Sequence, residues 1–227
     1  MTGAELDRLI ARQRDYFAGR GQAVAWQTRA HDEPADLTAR LRAAGFVPGE
    51  ERTVLIGLAA ELATTPILPG GVALRWVTTN GDMYRIAALQ SAVWGQDWGW
   101  LGENLIGRIA AAPDGIAVLA AEAGGDVVSA GWLAFFQPAG SFARLLGGST
   151  LPQWRGRGIY RALVAARAQR AAERSVEYLQ ADASDDSAPI LRLLGFHAVT
   201  TTTAYVWTPP QPTPPMTQAT AGTCTPR

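Results

Sequence analysis

Apolar residues at Leu6, Leu9, Ile10 and Phe17 recur at roughly helical spacing and predict an amphipathic helix over residues 4–19. AVAWQTR at 23–29 is short and β-rich, and predicts a strand. A second helix is expected over 35–44, with Leu37, Leu41 and Ala44 on one face and Gly45 placed to end it. RTVLIGLA at 52–59 predicts another strand, so the chain opens in the order α-β-α-β. ATTPILPGG at 63–71 carries two prolines and two glycines and breaks the pattern as a linker. Beyond it a strand is expected over 71–79, a helix over 81–94, a loop over 95–100 and a short helix over 101–111.

Two apolar, β-rich runs follow at 115–122 and 127–136, joined through Gly124-Gly125-Asp126 as a hairpin. A strand over 143–151, a helix over 157–174, a strand over 176–181 and a helix over 186–194 ending at Gly195 come next, and a last strand covers 197–207. The tail from 208 is rich in Pro and Thr and is expected to stay extended or disordered. The predicted organisation is an N-terminal segment 1–62, a linker 63–71, a main domain 72–207 and the tail 208–227.

One similarity links the two ends of this plan. Asp32, Asp36, Leu41, Arg42, Gly45, Phe46 and Thr53 recur 150 residues later as Asp182, Asp186, Leu191, Arg192, Gly195, Phe196 and Thr203. Two readings fit: a chance match at a searched offset, or an N-terminal half of a second, degenerate domain.

The stretch STLPQWRGRGIYRAL at 149–163 joins a strand to a helix through Gln153-x-x-Gly156-x-Gly158. A helix start leaves four backbone N–H groups without intrahelical partners and carries the positive end of the helix dipole. Glycines let a phosphate come close to the backbone, and Arg155, Arg157 and Arg161 add positive charge. Such a turn is either a plain connection or an anion site suited to a diphosphate. It lacks the Gly-Lys-Ser/Thr ending of a P-loop and the third glycine of a dinucleotide fingerprint.

Composition narrows the classes. With 48% hydrophobic residues in 227, the chain can bury a substantial core. Its 20 basic and 20 acidic residues balance, which argues against a nucleic-acid binder. Every basic residue is arginine, which excludes Schiff-base lysine chemistry. One cysteine, Cys224, cannot form an internal disulfide, and the two histidines, His31 and His197, make no metal-ligand cluster. The charged start does not read as a signal peptide, and no run approaches the ~20 apolar residues of a membrane span, so a cytoplasmic protein is expected.

The glycine loop stands after three consecutive strands and before a strand, a helix, Leu194-Gly195-Phe196 and a final strand. This order, over residues 72–207, resembles the GNAT superfamily of N-acetyltransferases, with Gln153 to Gly158 matching its pyrophosphate loop and Asp185 to Phe196 its later helix. The resemblance implies an α+β fold: a mixed, mostly antiparallel central sheet flanked by helices, here with an N-terminal α-β-α-β extension. It implies acetyl-CoA as acyl donor, with an acetyl group passing to the amine of a small molecule or peptide by direct attack on the thioester. Backbone groups of Ser149, Thr150 and Leu151 would pair with the pantetheine arm. Arg155, Gly156, Arg157, Gly158, Ile159 and Tyr160 would hold the diphosphate through backbone N–H groups. The strands on either side of this loop and helix would splay apart to admit the arm.

Two common features of that family are missing. The position of its usual acid, a tyrosine, is Leu191, and the strand before the loop, LLGGST, carries no carboxylate. The remaining source of such groups is WGQDWGWLGE, where Asp97 and Glu103 are the candidate catalytic carboxylates. Trp94, Trp98 and Trp100 either hold a cationic or aromatic acceptor or simply cap the core. The missing groups leave a second functional reading open, a non-catalytic acyl-CoA-binding or regulatory module. The N-terminal copy lacks the glycine loop and is not expected to bind coenzyme A by itself.

Overall fold

The computed structural model describes residues 3–136 and 141–210. Along them run α1 (Gly3–Ala18), β1 (Val24–Arg29), α2 (Leu37–Ala43), β2 (Val47–Leu58), α3 (Ala59–Leu62), β3 (Val72–Val77), α4 (Asn80–Trp94), α5 (Trp100–Ala111), β4 (Ile116–Ala123), β5 (Asp126–Phe135), β6 (Phe142–Thr150), α6 (Ile159–Glu173), β7 (Tyr178–Ala183), α7 (Ala188–Leu193) and β8 (His197–Trp207). The eight strands form one sheet in the order β1-β8-β2-β7-β6-β5-β4-β3. It is mostly antiparallel and flanked by helices, and β6 and β7 are a parallel pair within it.

The chain packs as two compact units. The described residues of the first are 3–28, 32–49 and 204–210. Their core joins Leu6 and Ile10 of α1 to Leu37 and Leu41 of α2, with Phe46 and Tyr205. Of the positions read from the sequence, Leu6, Ile10, Leu37, Leu41 and Ala44 make these contacts, while Leu9 and Phe17 stay half-buried outside this core. On the surface of this unit Arg40 bridges Asp36 and Asp7.

The second unit holds residues 29–31 and 50–203. Its sheet is buried on both faces. On one face α6 and α7 cover Ala143 and Leu145 of β6 and Leu179, Ala181 and Ala183 of β7. On the other, Met83, Ile86 and Leu89 of α4 and Leu101 and Leu105 of α5 pack with Val118, Ala130 and Trp132. Alternation along each strand sends successive residues to opposite cores. Thr79 caps α4: its Oγ1 accepts from the Asp82 amide at 3.2 Å. Asp82 in turn anchors Arg75 and Arg85, which both reach Glu122.

Most elements fall within a few residues of their expected positions, with two differences. β2 begins at Val47, not at 52, because its first residues, VPGEE, are exposed and carry no apolar alternation to read. Ala59, expected to end a strand, and residues 60–62, assigned to no element, form α3 and bury Ala59 and Leu62. No helix of the described residues is long and apolar enough to cross a membrane, and none of their side chains cluster as metal ligands. Of the expected tail, residues 211–227, including Cys224, lie outside the described residues.

Candidate functional site

Two strands that begin as neighbours end apart. β6 and β7 pair from Phe142↔Tyr178 to Leu145↔Ala181. Past that point β6 continues against β5 as far as Thr150↔Ser129, while Asp182 and Ala183 of β7 pair with Val54 and Thr53 of β2. A fork therefore opens in the sheet beyond Leu145 and Ala181.

The β6 arm of the fork carries a bulge. Ala130↔Ser149 and Trp132↔Leu146 are successive registers, so β6 spends one residue more than β5 between them. Gly147 takes φ +60° there, and a Cβ on it would be driven into the Trp132 ring. Behind the bulge lies Arg167 of α6, 1% exposed. Its Nε donates to the Leu163 carbonyl at 3.0 Å, and Nη1 reaches the carbonyls of Leu146 at 3.3 Å and Trp132 at 3.4 Å. Among the described residues no carboxylate pairs with it, and burial pulls its guanidinium down to about 10.

Past Thr150 the chain makes a single 3-10 turn at Pro152–Trp154 and enters α6. The turn is braced: Arg155 Nε donates to the Thr150 carbonyl at 3.2 Å, and the Arg157 guanidinium lies 4.8 Å from the Trp154 ring centroid. Gly158 caps α6 without a side-chain hydrogen bond, and nothing lies within 4 Å of where a Gly156 Cβ would stand. Backbone N–H groups at a helix start, with two arginines and open space beside them, suit an anion. An open groove continues from this turn, between Arg157, Gly158 and Arg161 on one side and Thr65 to Pro69 on the other.

A polar cluster fixes α4 to the opposite side of the bulge. Gln90 Nε2 donates to the Gly147 carbonyl at 2.7 Å. Its Oε1 accepts from Ser149 Oγ at 2.8 Å and from Trp94 Nε1 at 2.9 Å. Ser129 Oγ donates to the Ser149 carbonyl at 2.7 Å and lies 2.8 Å from Thr150 Oγ1.

The sequence candidates thus divide. Ser149, Thr150, Arg155, Gly156, Arg157, Gly158, Ile159 and Tyr160 lie along one continuous path from bulge to helix, and Trp94 joins it through Ser149. Leu151 stands on the same path, but its amide donates to Val128 at 3.0 Å and its carbonyl accepts from Trp154 at 2.9 Å. Asp97 accepts from the Gly99 amide at 2.8 Å at the entry to α5, and Glu103 accepts from the Tyr84 hydroxyl. That hydrogen bond raises the Tyr84 pKa. Trp98 packs against the core and stacks on Trp100 at 5.4 Å, while Trp100 itself is exposed.

Gln90, Trp132 and Arg167 were not singled out from the sequence. A signal was present for two of them. Gln90 continues the buried stripe Met83-Ile86-Ala87, and Arg167 continues Ile159-Leu163, so each puts a polar group where spacing demands an apolar one. Arg144 and Asp182 form an ion pair across β6 and β7, at the mouth of the fork. This pairing needs the strand register and has no sequence signal.

The comparisons agree with this geometry. The chain resembles a GCN5-related N-acetyltransferase from Kribbella flavida, with a TM-score of 0.69 at 18% identity over 91% of this chain and 76% of that one. It resembles a GCN5-related N-acetyltransferase from Sphaerobacter thermophilus, with a TM-score of 0.61 at 18% identity over 87% and 64% of the two chains. A tandem GNAT protein from the clavulanic acid biosynthesis pathway gives a TM-score of 0.62 at 14% identity, over 88% of this chain and 69% of that one. No curated protein matches the sequence significantly. These likenesses show a shared fold. Residues 81–196, half of the chain, match the profile of the family described as Acetyltransferase (GNAT). The chain therefore belongs to the GNAT acetyltransferase family, whose fold supports acyl-CoA-dependent acetyl transfer.

Proposed function

We propose that the protein is an acetyl-CoA-dependent N-acetyltransferase that passes an acetyl group to the amine of a small molecule or peptide. The observation that carries this reading is the fork between β6 and β7, whose β6 arm runs through one 3-10 turn into the start of α6, where Gly158 brings no side-chain cap. In the proposal residues 72–207 are the acyl-CoA-binding domain. Backbone N–H groups from Arg155 to Tyr160 hold the diphosphate, and backbone groups of Ser149 and Thr150 align the pantetheine arm in strand fashion. Leu151 extends the same path; its amide and carbonyl are paired within the chain, and the Ser149 and Thr150 carbonyls also accept there, although a carbonyl oxygen can accept twice. The donor supplies the activated acetyl thioester.

Trp94 tethers the start of the 95–99 loop to β6, and so sets the side from which the acceptor enters. Trp94, Trp98 and Trp100 form its apolar wall, and Asp97 and Glu103 are the carboxylates that draw the proton from the amine. Attack is direct, because a neutral amine beside a thioester needs no covalent enzyme intermediate. One structural neighbour is described as a tandem GNAT protein. We read residues 1–62 likewise as a partial GNAT-like copy, one without a coenzyme A site of its own.

The test is calorimetric titration with acetyl-CoA, followed by thiol release in the presence of a panel of small amines and peptides with free N-termini. Binding with turnover is expected, and no binding at millimolar acetyl-CoA rejects the proposal. Binding without thiol release for any amine replaces it with a non-catalytic acyl-CoA-binding module. The apolar, buried Leu191 at the usual acid position is the observation that favours this second reading.

A further inference from the structure

The fork is floored by apolar side chains. Leu145 of β6, Ala181 and Ala183 of β7, Val164 of α6 and Leu191 of α7 belong to one buried cluster. Tyr160, in the first turn of α6, packs against this cluster and brings its one hydroxyl. The ring lies against the bulge: a Cβ on Gly148 would stand 2.8 Å from Tyr160 Cε2 and 3.6 Å from Oη. Among the described residues nothing hydrogen-bonds that hydroxyl. Tyr160 is half-buried and its hydroxyl keeps contact with solvent, so it is free to donate to a group that enters beside the bulge.

We propose that Tyr160 is the proton donor to the departing thiolate, doing from the first turn of α6 what Leu191 on α7 cannot. The inference rests on the acetyltransferase reading above. The amine nitrogen forms its bond to the thioester carbon, and the C–S bond breaks with both electrons on sulfur. The Tyr160 hydroxyl gives its proton to that sulfur. The proton lost by the amine returns to the phenolate through solvent, so the products are amide and free thiol.

Two features of the chain fit this role. Burial raises the Tyr160 pKa, so the phenol stays protonated until sulfur becomes basic, and the charge of Arg167 opposes that rise and favours the phenolate once formed. The positive end of α6 acts in the same sense as Arg167. Arg167 is a positioning residue: it reaches the Leu146 and Trp132 carbonyls at the bulge and so holds Gly148 against the Tyr160 ring.

The experiment needs no acceptor. Coenzyme A is bound to saturation by wild type and by Tyr160→Phe, which keeps the ring against Gly148, and the ultraviolet band of the bound thiolate is titrated with pH. A hydrogen bond to the sulfur anion predicts that the wild-type midpoint lies lower by about one pH unit, a tenfold difference in thiolate fraction. Equal midpoints with coenzyme A bound by both proteins overturn the assignment of Tyr160 and leave the acetyltransferase proposal standing. Failure of wild type to bind coenzyme A overturns both. Circular dichroism spectra and thermal melts check that the variant is folded. If Tyr160→Phe does not fold, Arg167→Met is titrated in its place. A raised midpoint there supports the proposal, and an unchanged one overturns it.

Discussion

Two short helices in this chain end in the same way and serve different ends. α2 and α7 each close with a glycine of positive φ, +89° at Gly45 and +105° at Gly195. In both, the glycine amide donates to an arginine carbonyl, Arg42 or Arg192. In both, the phenylalanine amide reaches back to a leucine carbonyl, Leu41 at 3.0 Å or Leu191 at 3.1 Å. Phe46 and Phe196 are then buried alike, with that leucine beneath them. The recurrence 150 residues apart is thus a repeated local structure, strand–helix–Gly-Phe–strand. What differs is the surrounding chain. α7 follows a strand that has parted from β6 beside a bulge and a glycine loop, whereas α2 leads into β2, which opens with VPGEE and has no such turn. A shared helix cap specifies a fold element, and the chemistry depends on what stands next to it.

The sharpest way to break this comparison is at the feature the first copy lacks. Gly147→Ala forces a Cβ into Trp132 at a positive φ, and is expected to destabilise the second unit by about 3 kcal/mol or more, read from urea unfolding. Gly156→Trp is expected to abolish acetyl-CoA binding in calorimetry and to cost about 1–2 kcal/mol of stability, because its side chain enters open space but at a φ of +71°. If the affinity survives, the anion site lies elsewhere. The two caps should behave as a matched pair. Gly45→Ala and Gly195→Ala are each expected to cost about 1–2 kcal/mol, since both place a Cβ at positive φ. A large difference between them would separate the copies.

The smallest expected effect concerns charge. Hydrogen bonding to Arg75 holds the Asp82 carboxyl down at about 2, and Asp36 is lowered in the same direction by Arg40. A depressed carboxylate stabilises the folded state above its unfolded pKa, and this stabilisation is lost as pH falls through the folded one. Wild type should therefore lose stability between pH ~4 and pH ~2, and Asp82→Asn should flatten that limb. Asp36→Asn should do so less, because Asp36 is exposed and Asp82 is buried. Acid titration of thermal midpoints reads the difference.

Several of these features were legible in the sequence. Spacing at Leu6 and Ile10, Leu37 and Leu41, and Ile159 and Leu163 gives helices whose stripes are the ones buried. Gly124-Gly125-Asp126 gives the hairpin between β4 and β5. The glycine loop shows as a break between a strand and a helix. The roles of the carboxylates were harder to read. Asp97 and Glu103 stand close in sequence, yet one caps a turn and the other meets Tyr84. Gln90 and Arg167 are visible only as polar residues in apolar stripes, and the spacing says nothing of the carbonyls they reach.

The sequence by itself determined the order of the strands and longer helices, the glycine caps at Gly45 and Gly195 and the glycine turn before α6, because each depends on residues within a few positions of one another. Periodicity, glycine at positive φ and unpaired amides at a helix start are local properties of the chain. Only the tertiary structure decided where β6 leaves β7, and that the extra residue of the bulge falls at Gly147. It alone set the Tyr160 ring against Gly148 and Leu191 in the same cluster. Strand register couples residues far apart along the chain, and one residue of slip would turn every one of those side chains to the other face.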